Sequence, residues 1–236
     1  MFARIVYQAL SGLVLIAIGS TVAAAGTHET APQVVPVTEE PLHVVRYRDD
    51  HFLIYTNWIE PGTWTLYHEH KNDLLAVIVA DTVAASQALG EAPREQAAPA
   101  GALVFFPYAD DATPFVHRVS ASGNATFINV GLEFLDPPSA TCPAQLEDWN
   151  VKGSKPLPPN RRGQGYHLTL GPGATVAMPR GGRGLLLAPL APATFQFANE
   201  VWTASVGEFR LYTDNRPEQL QNAGGTEVTL VVFDAC

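Results

Sequence analysis

Between residues 42 and 135 the chain runs through short apolar or alternating stretches separated by turn residues: "LHVVRYR", "HFLIYTNWI", "TWTLY", "LLAVIVA", "ALVFFP", "FVHRVS" and "TFINVGLEF". Val, Ile, Phe, Tyr, Trp and Thr dominate them, which is the composition of half-buried strands. No long segment carries a helical period with a cap at each end. "AASQALGEAPREQAA" reads either as a short helix or as a loop with one strand. A proline-dense stretch, "LDPPSATCPAQLEDWNVKGSKPLPPNRRGQ", then breaks the pattern. Strand-like runs resume with "YHLTL", "ATVAM", "GLLLAPL", "TFQFA", "VWTASV", "EFRLY" and "EVTLVVF". The pattern predicts an all-β protein in two halves, 42–135 and 165–236, joined by a Pro-rich linker over 136–164 and preceded by a polar lead-in over 26–41.

The halves align with each other. A shift of 111 carries Gly62 onto Gly173 and "LLAVIVA" onto "LLLAPLA", and near the other end a shift of 102 carries "GNATFINV" onto "GTEVTLVV". Two copies of one unit are expected, each of barrel or sandwich size.

Composition narrows the function classes. The chain is 47% hydrophobic and 16% charged, a balance that folds rather than staying disordered. A net charge of -9 argues against nucleic acid, whose binding needs clustered Lys and Arg, and disfavours docking on anionic lipid. Residues 1–25 read as a signal peptide. Arg4 supplies the positive start, "ALSGLVLIAIG" the apolar core, and Ala23 and Ala25 the small residues that place cleavage before Gly26. The apolar run is shorter than the ~20 residues of a spanning helix, so the expectation is an exported chain, periplasmic or extracellular, with no stable membrane insertion after cleavage. In an oxidising compartment the only two cysteines, Cys142 and Cys236, are expected to pair.

The candidate chemistry sits in "GTWTLYHEHKND". Residues i and i+2 of a strand share a face, so a strand over 63–70 sets His68 and His70 side by side, with Trp64 and Leu66 on the same face as substrate-pocket residues. Glu69 and Tyr67 point away. Two neutral imidazoles are half of a transition-metal site. His117, a lone histidine in a strand built from Phe115, Val116 and Val119, is the natural candidate for the third ligand, and Asp73 is either an oxygen ligand or a simple turn residue. His28, His43, His51 and His167 read as ordinary core or surface histidines. Under the two repeat shifts His68, His70, Asp73 and His117 fall on Pro179, Gly181, Gly184 and Gln219, so the second half has lost all four together.

"GTWTLYHEHKND" followed by "PAGALVFFPYADDATPFVHRV" resembles the two motifs of the cupin superfamily, through Gly62, His68, His70 and Asp73 and then Pro99, Gly101 and His117. The match departs from the pattern at Asp73, which replaces a glutamate and lies closer to His70 than usual. The resemblance implies two tandem cupin (double-stranded β-helix, or jelly-roll) barrels, the first holding one divalent Fe, Mn, Ni, Cu or Zn ion and the second degenerate. It implies a metal-dependent enzyme, dioxygenase-type first and lyase or isomerase next, acting on a small organic molecule. The alternative it leaves open is a cupin that binds a small molecule or metal without turnover. No general base is identified. Cupins often pair through sheet edges, so a homodimer stands beside two tandem barrels that satisfy each other within one chain.

Overall fold

The computed structural model describes residues 31–139, Cys142 and residues 149–236; the expected signal segment lies outside them. Strands form wherever β-branched and aromatic residues recur between turns. In the first half they are β1 (Val34–Pro36), β2 (His43–Arg48), β3 (Phe52–Ile59), β4 (Tyr67–His70), β5 (Asp73–Ile78), β6 (Thr82–Ala88), β7 (Arg94–Ala98), β8 (Leu103–Phe106), β9 (Phe115–Ala121) and β10 (Phe127–Phe134). In the second half they are β11 (Ser154–Pro156), β12 (Gly163–Leu170), β13 (Thr175–Ala177), β14 (Gly184–Pro189), β15 (Ala193–Phe197), β16 (Glu200–Ala204), β17 (Arg210–Tyr212), β18 (Gln219–Asn222) and β19 (Val228–Ala235). The described residues contain no α-helix, and the fold is all-β.

The first half is built from two five-stranded sheets, ordered β1-β4-β9-β6-β7 and β2-β3-β10-β5-β8. The second half has the sheets β11-β12-β19-β14-β17 and β13-β18-β15-β16. The non-sequential orders are those of a jelly roll. The same register recurs in both halves: Asp73 faces Phe134 as Gly184 faces Ala235. The match between β10 and β19 is therefore offset by 101, one less than the alignment of their glycines suggests. At that offset His117 falls on Glu218 rather than Gln219, and no imidazole stands there either.

Where the sequence pattern misses strands, small or polar residues are the cause. "AASQALGEAPREQAA" is neither a helix nor a loop with one strand but the hairpin of β6 and β7. Its alanines favour helices in isolation, but here Ala84, Ala88 and Ala98 are the small inward residues that leave room inside the first barrel. The lead-in contributes β1, which pairs with β4 in parallel, and buries Val35, Val37 and Glu40. The stretch 149–164 contributes β11, and Trp149 is buried in the second core.

Period-2 alternation gives the sheet β2-β3-β10-β5-β8 two roles. Phe52 and Ile54 of β3 and Val130, Leu132 and Phe134 of β10 pack on Leu186 and Ala188 of β14 and on Val231 and Phe233 of β19, forming one apolar core between the halves. Full burial of each large side chain there contributes about 1.5–3 kcal/mol. The alternate residues, including Tyr55, Asn57, Ala76, Ile78 and Asn129, face the interior of the first barrel. Two further ties join the halves: His167 Nε2 donates to the Gly101 carbonyl at 2.7 Å, and Arg161 and Arg162 reach Asp73. Cys142 and Cys236 form a disulfide with their Cα atoms 5.9 Å apart.

Candidate metal centre

His68 and His70 lie on one face of β4, and β9 pairs with it so that His117 stands directly opposite His68. All three are buried, and their potential ligand nitrogens lie within 4.8 Å of one another. Among the described residues no other group of three His, Cys, Asp or Glu side chains is drawn together in this way.

Their hydrogen bonds orient them. His68 Nδ1 lies 3.0 Å from the Leu66 carbonyl and His70 Nδ1 lies 2.7 Å from Glu133 Oε1. Both partners are acceptors, so each Nδ1 carries the proton and each Nε2 keeps its lone pair. His117 Nδ1 lies 3.0 Å from Ser86 Oγ. The three Nε2 atoms therefore converge: that of His70 is 3.1 Å from that of His117, and that of His68 is buried with no partner at all. Burial first and then the neighbouring His70, opposed by the Leu66 carbonyl, bring the His68 pKa down to about 4. Burial, then His70 and His68, hold His117 well below the usual histidine range. Neutral imidazoles are the form that ligates a metal. Nitrogens held about 2.1 Å from one ion lie roughly 3.0–3.4 Å apart in octahedral or tetrahedral geometry, a spacing that the His70–His117 pair already has. The donor set fits a divalent transition metal.

A cavity of about 490 Å³ opens onto the three histidines. Its walls are largely apolar, with Val104, Phe106, Phe115 and Phe127 among them. Tyr108 stacks between the rings of His70 and Phe115, at 5.4 and 4.8 Å.

Three of the expected site residues lie elsewhere. Asp73 starts β5 on the same parity as Leu75 and Val77, which face the core between the halves, while Ala76 and Ile78 face the cavity. Its buried carboxylate accepts hydrogen bonds from Arg161, from Arg162 Nε at 2.6 Å and from the Ala109 backbone N–H at 3.2 Å. Burial alone would raise its pKa, but the bonds from Arg161 and Arg162 outweigh that and lower it. Asp73 is an ion-pair anchor and does not join the histidines. Trp64 and Leu66 do not line the cavity either. Trp64 bridges to Ser120 whereas His68 pairs with His117, so the register slips by one residue between them. This β-bulge reverses which side chains point inward: Thr65 is buried, Leu66 is exposed, and Trp64 lies under the Arg118 guanidinium, 4.6 Å from its ring centre. Glu69 points away as expected and pairs with Lys71.

Sequence reasoning missed Glu133, Ser86 and His43. Glu133 accepts from His70 and, at 3.0 Å, from Asn72 Nδ2. Its signal was present: it is the only charged residue in the strand-like run "FINVGLEF". His43 stacks on Tyr55 at 4.7 Å and sets its ring edge-on to His68 at 4.4 Å.

No family model and no curated protein sequence matches the chain. Solved structures do match. AerE from Microcystis aeruginosa superposes with a TM-score of 0.57 at 12% identity, over 87% of this chain and 97% of that one. A cupin 2 conserved barrel domain protein from Leptotrichia buccalis gives 0.51 at 11% identity, over 82% and 88%. Salicylate 1,2-dioxygenase from Pseudoaminobacter salicylatoxidans, solved with gentisate adducts, gives 0.54 at 10% identity, over 80% and 69%. The protein has the cupin fold, with a three-histidine cluster in its first barrel that can hold a metal ion.

Proposed function

We propose that the protein is an exported bicupin with one mononuclear divalent-metal centre in its N-terminal barrel, and that it oxidises a small organic molecule in a dioxygenase-type reaction. The observation that carries this reading is the convergence of three buried imidazoles on one largely apolar cavity, each oriented through its Nδ1. His68, His70 and His117 would hold the metal through Nε2, and three protein ligands leave positions open, as in catalytic rather than structural sites. When bound, the metal would supply Lewis acidity and a meeting point for substrate and O2. Glu133 keeps the His70 proton on Nδ1. Phe106, Phe115 and Tyr108 keep water away from the cluster. The fold likeness to a salicylate 1,2-dioxygenase supports the reaction class.

Lyase or isomerase chemistry ranks lower because the carboxylates beside the cavity are committed. Glu133 holds His70 and Asn72, and Glu91 at the rim pairs with Arg94. Burial raises the pKa values of Tyr55 and Tyr108 far from neutrality, so neither serves as a base. Capture of a small molecule or metal without turnover is the remaining alternative. The second barrel, lacking the histidines, acts as a structural partner, and the Cys142–Cys236 bridge suits an exported chain.

The test is elemental analysis of the mature protein, purified without an affinity tag, beside His68→Ala/His70→Ala. About one Fe, Mn, Ni, Cu or Zn per chain, lost in the double variant, is expected, with oxygen uptake on a matching substrate. A wild type that neither contains nor takes up stoichiometric metal overturns the reading. Tight ligand binding without oxygen uptake decides for capture.

A further inference from the structure

Three polar side chains outside the histidine cluster line the same cavity. His43 on β2, Asn57 on β3 and Asn129 on β10 form one cross-strand row, His43 facing Asn57 and Asn57 facing Asn129. They are only 5%, 5% and 6% exposed, and all three line the cavity. Directly opposed residues sit about 4.5–5.5 Å apart at Cβ, so the row spans roughly 10 Å. It begins at the metal centre, where the His43 ring meets His68.

Within the protein this row is largely unsatisfied. The Oδ1 atoms of Asn57 and Asn129 are buried without a hydrogen-bond partner, and of the two buried ring nitrogens of His43 one is turned to the Val37 backbone, which leaves the other without a partner. Buried polar groups are rarely left unpaired, because each orphan is destabilising. Three orphan atoms on one row facing one cavity point to a ligand that completes them. The next position of the row, on β5, is Ile78, so nothing in the sheet demands polarity there.

The atoms define the ligand. Two amide oxygens accept, and the His43 ring nitrogen that is not turned to the Val37 backbone is a third hydrogen-bonding atom. The complement must therefore bring at least two donors. Turning either amide by half a turn exchanges its oxygen and nitrogen, and the row still mixes donors with acceptors. A hydroxyl meets that mixture in either orientation. A carboxylate only accepts, and in the metal-free protein the one guanidinium lining the cavity, that of Arg94 at the rim, is exposed and paired with Glu91. The remaining walls are apolar and aromatic.

We infer that His43, Asn57 and Asn129 form the substrate-recognition subsite of this barrel, and that it takes a neutral, largely apolar molecule carrying two adjacent hydroxyl groups. The inference rests on reading the cavity as a substrate site, but not on the metal. It is tested on the mature full chain stripped of metal, by calorimetric titration with catechol and with benzoate as a carboxylate of similar size. Wild type is compared with Asn57→Leu, Asn129→Leu and His43→Phe, the last keeping a ring against Tyr55 while removing both nitrogens. Saturable catechol binding, benzoate at least fivefold weaker, and a fivefold or greater loss of catechol affinity in the variants are expected. The leucine variants should also melt no lower than wild type, since they remove unpaired polar atoms, whereas a merely structural role would lower their melting temperature. If a leucine variant fails to fold, the inference is overturned for that position and His43→Phe decides the rest by the same fivefold criterion. Absence of saturable catechol binding, benzoate binding as tightly, or variants within fivefold of wild type overturns the inference. Metal content measured in parallel separates the two readings: a metal-free wild type sinks the metal centre and leaves the catechol titration to judge the row.

Discussion

Glu133 offers the sharpest test of how the protein would orient its metal site. It is buried on β10, with Oε1 2.7 Å from His70 Nδ1 and Oε2 3.0 Å from Asn72 Nδ2. Glu133→Gln keeps the volume and an acceptor for the His70 proton but removes the charge. A hydrogen bond to a charged group contributes about 1.5–3 kcal/mol against about 1 for a neutral one, so the loss is about 0.5–2 kcal/mol. That corresponds to roughly a two- to thirtyfold weaker metal Kd. Glu133→Ala strips the partner entirely and frees the ring, and loss of the group that orients a metal-bound histidine typically costs about 10–100-fold in affinity. The assay is chelator competition at fixed pH, beside thermal melting of the metal-free forms. The metal-free Gln variant should melt at or above wild type, because it no longer buries a charge. Kd values of both variants within twofold of wild type, or a destabilised metal-free Gln variant with unchanged Kd, would refute the assignment and make Glu133 a structural group.

Two further outcomes follow from the same residues. His68 has a folded pKa of about 4 against about 6.5 for an exposed histidine, so between those values the unfolded chain holds a proton that the fold refuses. Metal-free stability should therefore fall by about 3 kcal/mol from this group as pH drops from 7 to 4, with His117 acting in the same direction. Denaturant melts across that range should show the slope, and His68→Leu should flatten it; pH-independent stability in the wild type contradicts the reading. Asp73→Asn should leave metal affinity within twofold of wild type but destabilise the chain by about 3–5 kcal/mol, because Arg162 is buried against that carboxylate. A large loss of metal with unchanged stability would return Asp73 to the ligand set.

The histidines were legible because spacing alone carries them: a His-x-His pair has one face in any strand, and a lone histidine in "FVHRVS" has few other reasons to be there. The residues misplaced from sequence all depended on strand parity across an irregularity. Trp64 and Leu66 would share the face of His68 in an unbroken strand, but the one-residue slip between the Trp64–Ser120 and His68–His117 pairs reverses them. Asp73 is an acid just downstream of the His-x-His pair, yet it shares its parity with Leu75 and Val77 and so faces the other way. The hairpin β6–β7 was hidden because its inward residues are small or polar, among them Ala84, Ser86, Ala88 and Gln96. His43 and Asn129 were hidden because a single polar residue in a strand reads the same whether it is satisfied or waiting for a ligand.

What joins these features is the sheet β2-β3-β10-β5-β8, whose two faces have separate duties. Its outer face is locked by Phe52, Ile54, Val130 and Leu132 against the second half. Its inner face presents Asn57, Asn129 and Glu133. Gly131, between the last two, has no side chain because Tyr55 crosses it: a Cβ there would come within 2.4 Å of the Tyr55 ring. Tyr55 in turn stacks on His43, and His43 abuts His68. The packing that joins the halves thus fixes a chain of contacts running from a glycine to a candidate metal ligand. The second half, without a histidine cluster of its own, thus serves the site by packing against the sheet on which Glu133 and the polar row stand.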